Sequence, residues 1–268
     1  MKLEIYCNPL IGFCMGIKVR EILIFIMLLL HASITFAAKS DCRPELNADN
    51  LVVIVDISDP FDEPSSYAFK SLSGRIAKIA PPGGMLFIYD LNKITGNIAS
   101  AELSICVPYF SNLAGEKLKQ RKEKEFLNSV SIVFEKLSKS NNENVSKSPI
   151  LEGVYKVGMQ VFNKDGVSKN GRIILISDLE QNSNLISFYK NGVPDYKDWR
   201  AIPDSSAWII SMPTVKFTSV LIQRAQKNQK LNMSKVRAFW LDYASNNFNK
   251  CGFLGLNQSA VELNNECN

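Results

Sequence analysis

The sequence predicts an α/β fold: a three-layer, doubly wound and mostly parallel sheet with helices on both faces. The first observation is a set of short apolar runs rich in β-branched residues, at positions 51–55, 85–89, 173–176 and 217–222. Such runs are typical of strands that are buried on both faces. The second observation is that segments with helical periodicity alternate with these runs, which favours parallel strands joined by crossover helices.

In the first half of the chain, each predicted element has a recognisable boundary. The first strand ends at Asp56, and apolar residues at spacings of three, four and three then predict one buried helix face. These residues are Phe69, Leu72, Ile76 and Ile79. The sequence Pro-Pro-Gly-Gly at 81–84 ends that helix before the second strand, and residues 103–107 predict a shorter third strand at an edge of the sheet.

In the second half, a long helix is predicted over 116–138. The next helix is predicted to open at Ser148 and Pro149, with the serine as N-cap and the proline at the first helical position. A buried strand over 171–177 ends at Asp178. A later strand over 217–222 precedes a last helix, whose predicted face is formed by Val236, Phe239, Trp240 and Tyr243.

The start of the chain predicts a secretory signal peptide, because Lys18 and Arg20 precede an apolar run at 22–30 and the small residues Ala37 and Ala38 follow it. The run is shorter than the roughly 20 apolar residues of a membrane-spanning helix. We expect a signal peptide at 1–37, an N-terminal extension at 38–47, the α/β domain at 48–250 and a C-terminal tail at 251–268. The protein would be periplasmic or secreted, with its leader contacting the membrane during export only. The alternative is an uncleaved leader that anchors it in the inner membrane.

Export would place the chain in an oxidising compartment, where disulfides persist. Four cysteines follow the leader: Cys42, Cys106, Cys251 and Cys267. An even number of this size permits two disulfides in three different pairings. A Cys251–Cys267 bond would fasten the C-terminal tail, and a Cys42–Cys106 bond would tie the N-terminus to the sheet.

Several function classes are excluded or disfavoured by composition. The only histidine, His31, lies in the leader, so the exported chain has neither a Ser–His–Asp or Cys–His arrangement nor a histidine-bound zinc or iron. The basic residues of 117–124 are accompanied by Glu116, Glu123 and Glu125, which indicates a solvated helix face and no nucleic-acid surface. No Gly-x-Gly-x-x-Gly follows the first strand, and there is no phosphate loop. We expect a binding protein that is not an enzyme.

Oxygen-bearing side chains are predicted to gather at one edge of the sheet. Asp56 and Asp178 each follow a buried strand, and ligands of open parallel sheets bind just beyond such strand ends. Ser58 lies two residues after Asp56, and Ser148 opens a helix that should start at the same edge. Carboxylates and hydroxyls are ligands suited to Mg²⁺ or Mn²⁺. The alternative needs no cofactor: the same side chains would only shape turns and cap helices.

Three segments in this region resemble the von Willebrand factor A (vWA) domain family. They are Asp-Ile-Ser-Asp-Pro at 56–60, Ser-Pro-Ile-Leu-Glu at 148–152 and Leu-Ile-Ser-Asp at 175–178. With Ser-Asp-Leu-x-Gln-Asn-Ser at 177–183 and Arg-Ala-Phe-Trp at 237–240, the chain looks most like a group of exported bacterial vWA-like proteins. The resemblance covers about residues 48–250. It implies a divalent-metal-dependent adhesion-type site formed by Asp56, Ser58, Ser148 and Asp178.

One position departs from the family pattern. Pro60 stands where the family has a second serine ligand, so the site has lost one oxygen and the metal is less well supported than the fold. We expect a protein-binding or scaffold module. The alternatives are a metal-free structural component of an envelope complex and a Mg²⁺-dependent hydrolase that uses Asp56. The predicted partner surface comprises Asp59, Phe188, Tyr189, Tyr196 and Trp199. The alternative for the aromatic residues is a loop packed on the sheet.

Overall fold

The computed structural model describes residues 48–58, 61–94, 98–112, 114–140, 147–163, 170–222 and 231–255, with the backbone alone at 250 and 251. All of them belong to one compact unit, Asp41–Asn268. The predicted signal peptide and N-terminal extension lie outside these residues. Within the ranges given, the helices are too short or too polar to cross a membrane.

The described residues form one six-stranded sheet in the order β3-β2-β1-β4-β5-β6. The strands are β1 (Asn50–Val55), β2 (Met85–Asp90), β3 (Leu103–Cys106), β4 (Gly171–Ser177), β5 (Met212–Leu221) and β6 (Phe248–Gly255). Only β3, at one edge, runs antiparallel to its neighbour, and every other pairing is parallel. The predicted mostly parallel sheet is therefore confirmed, with β1 and β4 at its centre.

Helices cover both faces of the sheet. They are α1 (Glu63–Ile79), α2 (Glu116–Ser138), α3 (Ile150–Phe162), α4 (Phe188–Asn191), α5 (Tyr196–Arg200) and α6 (Met233–Asn247). Two 3-10 helices, Leu91–Lys93 and Pro203–Trp208, lie between these elements. Helix α1 begins where the Asp62 carboxylate accepts a hydrogen bond from the Ser65 N–H at 2.8 Å, which satisfies one free donor of the first turn.

The core has two halves because alternate residues of a strand point to opposite faces. Val53 and Val55 of β1 pack with α1 and α2, whereas Val52 and Ile54 pack with α3 and α6. All of these β1 side chains are fully buried. The predicted three-layer arrangement is confirmed, and the sheet is the middle layer.

Two strands differ from the sequence expectation. Strand β6 was not predicted, and it carries the sheet beyond residue 250. Strand β5 begins at Met212, five residues before the predicted start at Phe217. Both differences lie toward the β6 edge, where backbone pairing holds the strands and a continuous apolar run is not required.

The aromatic segment is part of the core. Phe188, Tyr196 and Trp199 have 1%, 3% and 2% of their surface exposed. Their rings lie 5.2, 5.7 and 5.6 Å from the ring of Phe239 on α6. The prediction that these three residues form a partner surface is wrong, because the apolar face of α6 needs a cover and their rings provide it. Tyr189 is 40% exposed, and Asp59 lies outside the described residues.

Candidate functional site

The two predicted acidic residues leave the sheet at the same edge. Strands β1 and β4 are parallel neighbours with Val55 opposite Ile176, and the Asp56 N–H donates to the Ile176 carbonyl at 2.9 Å. Asp178 follows β4 directly. Asp56 and Asp178 therefore stand at adjacent strand ends, in the position where open α/β sheets place their ligands.

Asp56 is the centre of a buried hydrogen-bond network. Its side chain is fully buried, and Oδ2 accepts hydrogen bonds from the hydroxyls of Ser148 at 2.8 Å and Ser177 at 2.9 Å. Oδ1 accepts from the Ser58 N–H at 3.1 Å. Charge-assisted bonds of this kind are strong and directional, so they fix the carboxylate in one orientation. They also bring side chains from three separate segments of the chain together.

Ser148 does not cap a helix. Helix α3 begins at Ile150, so Pro149 occupies the cap position. The Pro149 side chain makes no hydrogen bond to the first turn of the helix. Instead Ser148 pairs with Asn182 through two backbone hydrogen bonds, of 2.8 and 2.9 Å. The predicted N-cap role is wrong, because the helix starts one residue later than predicted, with Pro149 at the cap position, and the Ser148 hydroxyl donates to Asp56 instead.

Asp178 opens a tightly held turn. Its Oδ1 accepts from the Glu180 N–H at 3.0 Å. Leu179 between them has a φ of +66°, which is uncommon for a residue with a side chain. Its N–H donates to the Ser177 hydroxyl at 2.8 Å, and its carbonyl accepts from the Trp240 indole at 2.9 Å. Hydrogen bonds on both sides thus hold the unusual backbone that sets the direction of Asp178.

Gln181 joins this turn to helix α3. It is fully buried, and its Oε1 accepts from the Leu151 N–H at 3.0 Å. Its Nε2 donates to Glu152 Oε2 and to the Ser183 hydroxyl, both at 3.1 Å. The first N–H groups of a helix have no partner within it, so Gln181 supplies the capping interaction that the sequence assigned to Ser148.

A third carboxylate lies near the same edge. Asp90 ends β2 opposite Val55 and is 1% exposed. Burial raises the pKa of Asp90 above its ordinary value, and the negative charge of Asp56 acts in the same direction. The Asn92 N–H, which donates to Asp90 Oδ1 at 3.0 Å, and the Lys93 ammonium act against this shift. Asp90 is thus a buried carboxyl group close to the candidate site.

Sequence reasoning missed Ser177, Gln181 and Asp90. Each had a weak signal: Ser177 is a polar residue in a buried strand, and Asp90 is a third acid at a strand end. Gln181 had only its place in the segment 177–183 that looks like other vWA-like proteins. The roles of Ser177 and Gln181 depend on contacts with residues more than 25 positions away, which no local pattern contains.

The side chains at this edge fit a hard divalent cation in their chemistry. The carboxylates of Asp56 and Asp178 and the hydroxyls of Ser58 and Ser148 all offer oxygen, the donor that Mg²⁺ and Mn²⁺ prefer. Among the described residues, however, no three carboxylate, cysteine or histidine groups lie close enough to hold a metal. An ion here would depend on the two hydroxyls and on water. Pro60 lies outside the described residues, so its effect stays a prediction.

Of the four candidate cysteines, Cys106 on β3 is disulfide-bonded. Cys42 and Cys267 lie outside the described residues, and the side chain of Cys251 is not described. The Cys42–Cys106 and Cys251–Cys267 pairings therefore stay predictions.

Neither the comparison with protein-family models nor the comparison with curated proteins found a match to this chain. Membership of the vWA family therefore stays a prediction that depends on the segments described above. The fold adds that these segments meet: Asp56, Ser148 and Ser177 are joined by hydrogen bonds. The segment 237–240 also reaches this region, because the indole N–H of Trp240 donates a hydrogen bond to the carbonyl of Leu179.

Proposed function

We propose that this chain is an exported vWA-like module that binds a protein partner through a divalent cation, Mg²⁺ or Mn²⁺, at the strand-end site. The observation that carries this proposal is the Ser148 hydroxyl, which donates its proton to the buried carboxylate of Asp56 at 2.8 Å. A hydroxyl that donates its proton to a carboxylate keeps its lone pairs for a cation. Ser148 is thus suited to direct ligation of an ion.

Each residue has a definite part in this proposal. Ser58 and Ser148 would bind the ion directly through their hydroxyl oxygens, and Asp56 and Asp178 would hold its bound waters. Mg²⁺ usually keeps several waters and takes few protein carboxylates, which agrees with the small number of acids here. An acidic group of the partner would complete the coordination shell.

The contact surface around the ion is smaller than the sequence suggested. Tyr189 is 40% exposed and its hydroxyl donates to the Glu180 carboxylate, two residues after Asp178. With Phe188, Tyr196 and Trp199 buried, Tyr189 and Asp59 remain the candidates for contact with a partner. Aromatic side chains that combine an apolar ring with a polar tip are common at such contacts.

We place the protein in the periplasm or outside the cell. The leader-like sequence at 1–37 supports this location, and so does the disulfide-bonded state of Cys106, since disulfides are rare in reducing compartments. Anchoring by an uncleaved leader would leave the domain in the same compartment. The charge pattern gives no reason to expect a nucleic-acid partner.

A second candidate, a metal-free scaffold in an envelope complex, is favoured by a different observation. Both oxygens of Asp56 already accept hydrogen bonds from the protein, so this carboxylate can serve as a purely structural brace. The same observation weighs against a hydrolase with Asp56 as nucleophile. A nucleophile must reach its substrate, and this side chain is fully buried.

Titration with Mg²⁺ and Mn²⁺, followed by calorimetry and thermal unfolding, separates the two candidates. At an ion concentration of 100 times Kd, binding adds about 2.7 kcal/mol to the free energy of unfolding, or roughly 5–10 °C in Tm for a domain of this size. Asp178→Asn should abolish the response, because it removes a charge but keeps an acceptor for the Glu180 N–H.

The matched control is Asp195→Asn, the same change at an exposed residue whose side chain does not bond the helix it precedes. It should bind the ion as the wild type does. A wild-type protein with neither heat nor a shift in Tm would overturn the metal-dependent function and leave the scaffold.

A further inference from the structure

We propose that Gln181 is a positioning residue that fixes Ser148 against Asp56 and thereby sets the affinity of the strand-end site for a divalent cation. Its effect on the ion rests on the proposed function, whereas its effect on the geometry of the site does not. Gln181 touches none of the four candidate ligands through its side chain. It would act through the two segments that carry Ser148 and Asp178.

Both the oxygen and the nitrogen of the Gln181 side-chain amide make hydrogen bonds that connect the start of helix α3 to the segment after Asp178. On one side it accepts from the N–H of Leu151 in the first turn of α3 and donates to the carboxylate of Glu152. On the other it donates to the hydroxyl of Ser183, two residues later in its own segment. Because Gln181 is fully buried, water cannot replace these bonds when the amide is removed.

The link to the ligands is short on both sides. Asn182, the next residue after Gln181, forms the two backbone hydrogen bonds that hold Ser148. Ser148 in turn lies three residues before Leu151, the residue that Gln181 caps. Adjacent residues of one loop therefore hold Ser148 itself, through Asn182, and the helix turn that follows it, through Gln181. Loss of the Gln181 amide would let the two segments separate and move the Ser148 hydroxyl from Asp56.

The first test is the affinity for Mg²⁺ of Gln181→Leu, which keeps the size of the side chain and removes the amide. Residues that orient metal ligands without touching the metal typically change the affinity 10–100-fold. We expect a weakening of about tenfold or more in Gln181→Leu.

The control is Gln160→Leu on the same helix α3. The Gln160 amide also makes two hydrogen bonds, to the N–H and carbonyl of Ala99 at 2.8 and 2.9 Å. It lies nine residues after Leu151, about 13 Å along the helix axis. Gln160→Leu should keep the wild-type affinity for Mg²⁺ at a temperature where all variants are folded.

A rescue experiment separates positioning from general damage. Gln181→Glu keeps an acceptor for Leu151 but places a second carboxylate beside Glu152, so the affinity should fall. Adding Glu152→Gln restores the bond between the two side chains in the opposite direction, with the original total charge. The double variant should recover most of the wild-type affinity, a result that a loss of stability alone would not give.

Hydrogen exchange on the metal-free protein gives a readout that needs no ion. In Gln181→Leu the amides of Ser148, Leu151 and Asn182 should exchange faster than in the wild type, and in Gln160→Leu they should not. If the wild type binds Mg²⁺ and Gln181→Leu binds it equally well, the positioning role is wrong and the proposed function stands. If the wild type binds no ion, the proposed function fails. Unchanged exchange at these amides would then overturn the positioning role as well.

Discussion

Replacing Ser177 with alanine removes a single oxygen atom from the network around Asp56. That oxygen makes two hydrogen bonds: it donates to Asp56 Oδ2 at 2.9 Å and accepts from the Leu179 N–H at 2.8 Å. Ser177 is fully buried in β4, so neither partner gains access to water through the change. The substitution leaves the fold of the strand intact and tests the network alone.

The expected cost follows from these two bonds. A hydrogen bond to a charged group contributes about 1.5–3 kcal/mol, and a buried donor left without an acceptor costs about 1–3 kcal/mol. Asp56 Oδ2 keeps its bond from Ser148, which lessens the first loss. We therefore expect Ser177→Ala to lower the free energy of unfolding by about 2–4 kcal/mol, with half or more of the loss at the strained turn around Leu179.

The assay is unfolding in guanidinium chloride, with Ser219→Ala as the matched control. Ser219 is also a fully buried serine, on the neighbouring strand β5, but its hydroxyl has no hydrogen-bond partner among the described residues. Removing an unsatisfied hydroxyl should leave the stability unchanged or raise it slightly. Equal losses in the two variants would show that the hydrogen bonds of Ser177 do not brace the site, and the reasoning about the network would be refuted.

Two further predictions concern charge and covalent structure. The pKa of Asp90 is raised mainly by burial, so the folded protein holds this proton more tightly than the unfolded chain. Stability is then lost as the pH rises from about 4 through the folded-state pKa. Asp90→Asn should therefore gain stability over the wild type at pH 7 but not at pH 4, measured by unfolding at both values; a constant difference would contradict this. Peptide mapping of the exported protein without reduction should recover the Cys42–Cys106 and Cys251–Cys267 pairs, and any other pairing would show that the tail and the N-terminus are fastened elsewhere.

The central strands could be predicted because burial on both faces of the sheet requires a recognisable run of apolar residues. Strands β1 and β4 are covered on both faces, so almost every residue must be apolar, and their runs are continuous. Among the described residues, strand β6 has one neighbour, β5, and its sequence is Phe-Asn-Lys-Cys-Gly-Phe-Leu-Gly. Its pairing with β5 depends on backbone hydrogen bonds, which every residue type except proline can both donate and accept, so the strand needs no apolar run that a sequence pattern could reveal.

The aromatic residues show a different limit of the sequence. Phe188 and Tyr189 are adjacent, yet one is 1% exposed and the other 40%. A ring packed under a loop and a ring at a binding surface have the same composition, and only the position of α6 decides between them. Phe188, Tyr196 and Trp199 are buried because their rings pack against Phe239, which lies at least 40 positions later in the sequence.

Ser148 shows how the fold narrows the question of function. Sequence patterns support two incompatible roles for it, a helix cap and a member of a metal site. Helix α3 begins at Ile150 with Pro149 at its cap position, which removes the first role. Its hydroxyl instead donates to Asp56, an acid from a different part of the chain. What decides between a cation site and a structural brace is thus whether the lone pairs of the Ser148 hydroxyl oxygen bind an ion or water.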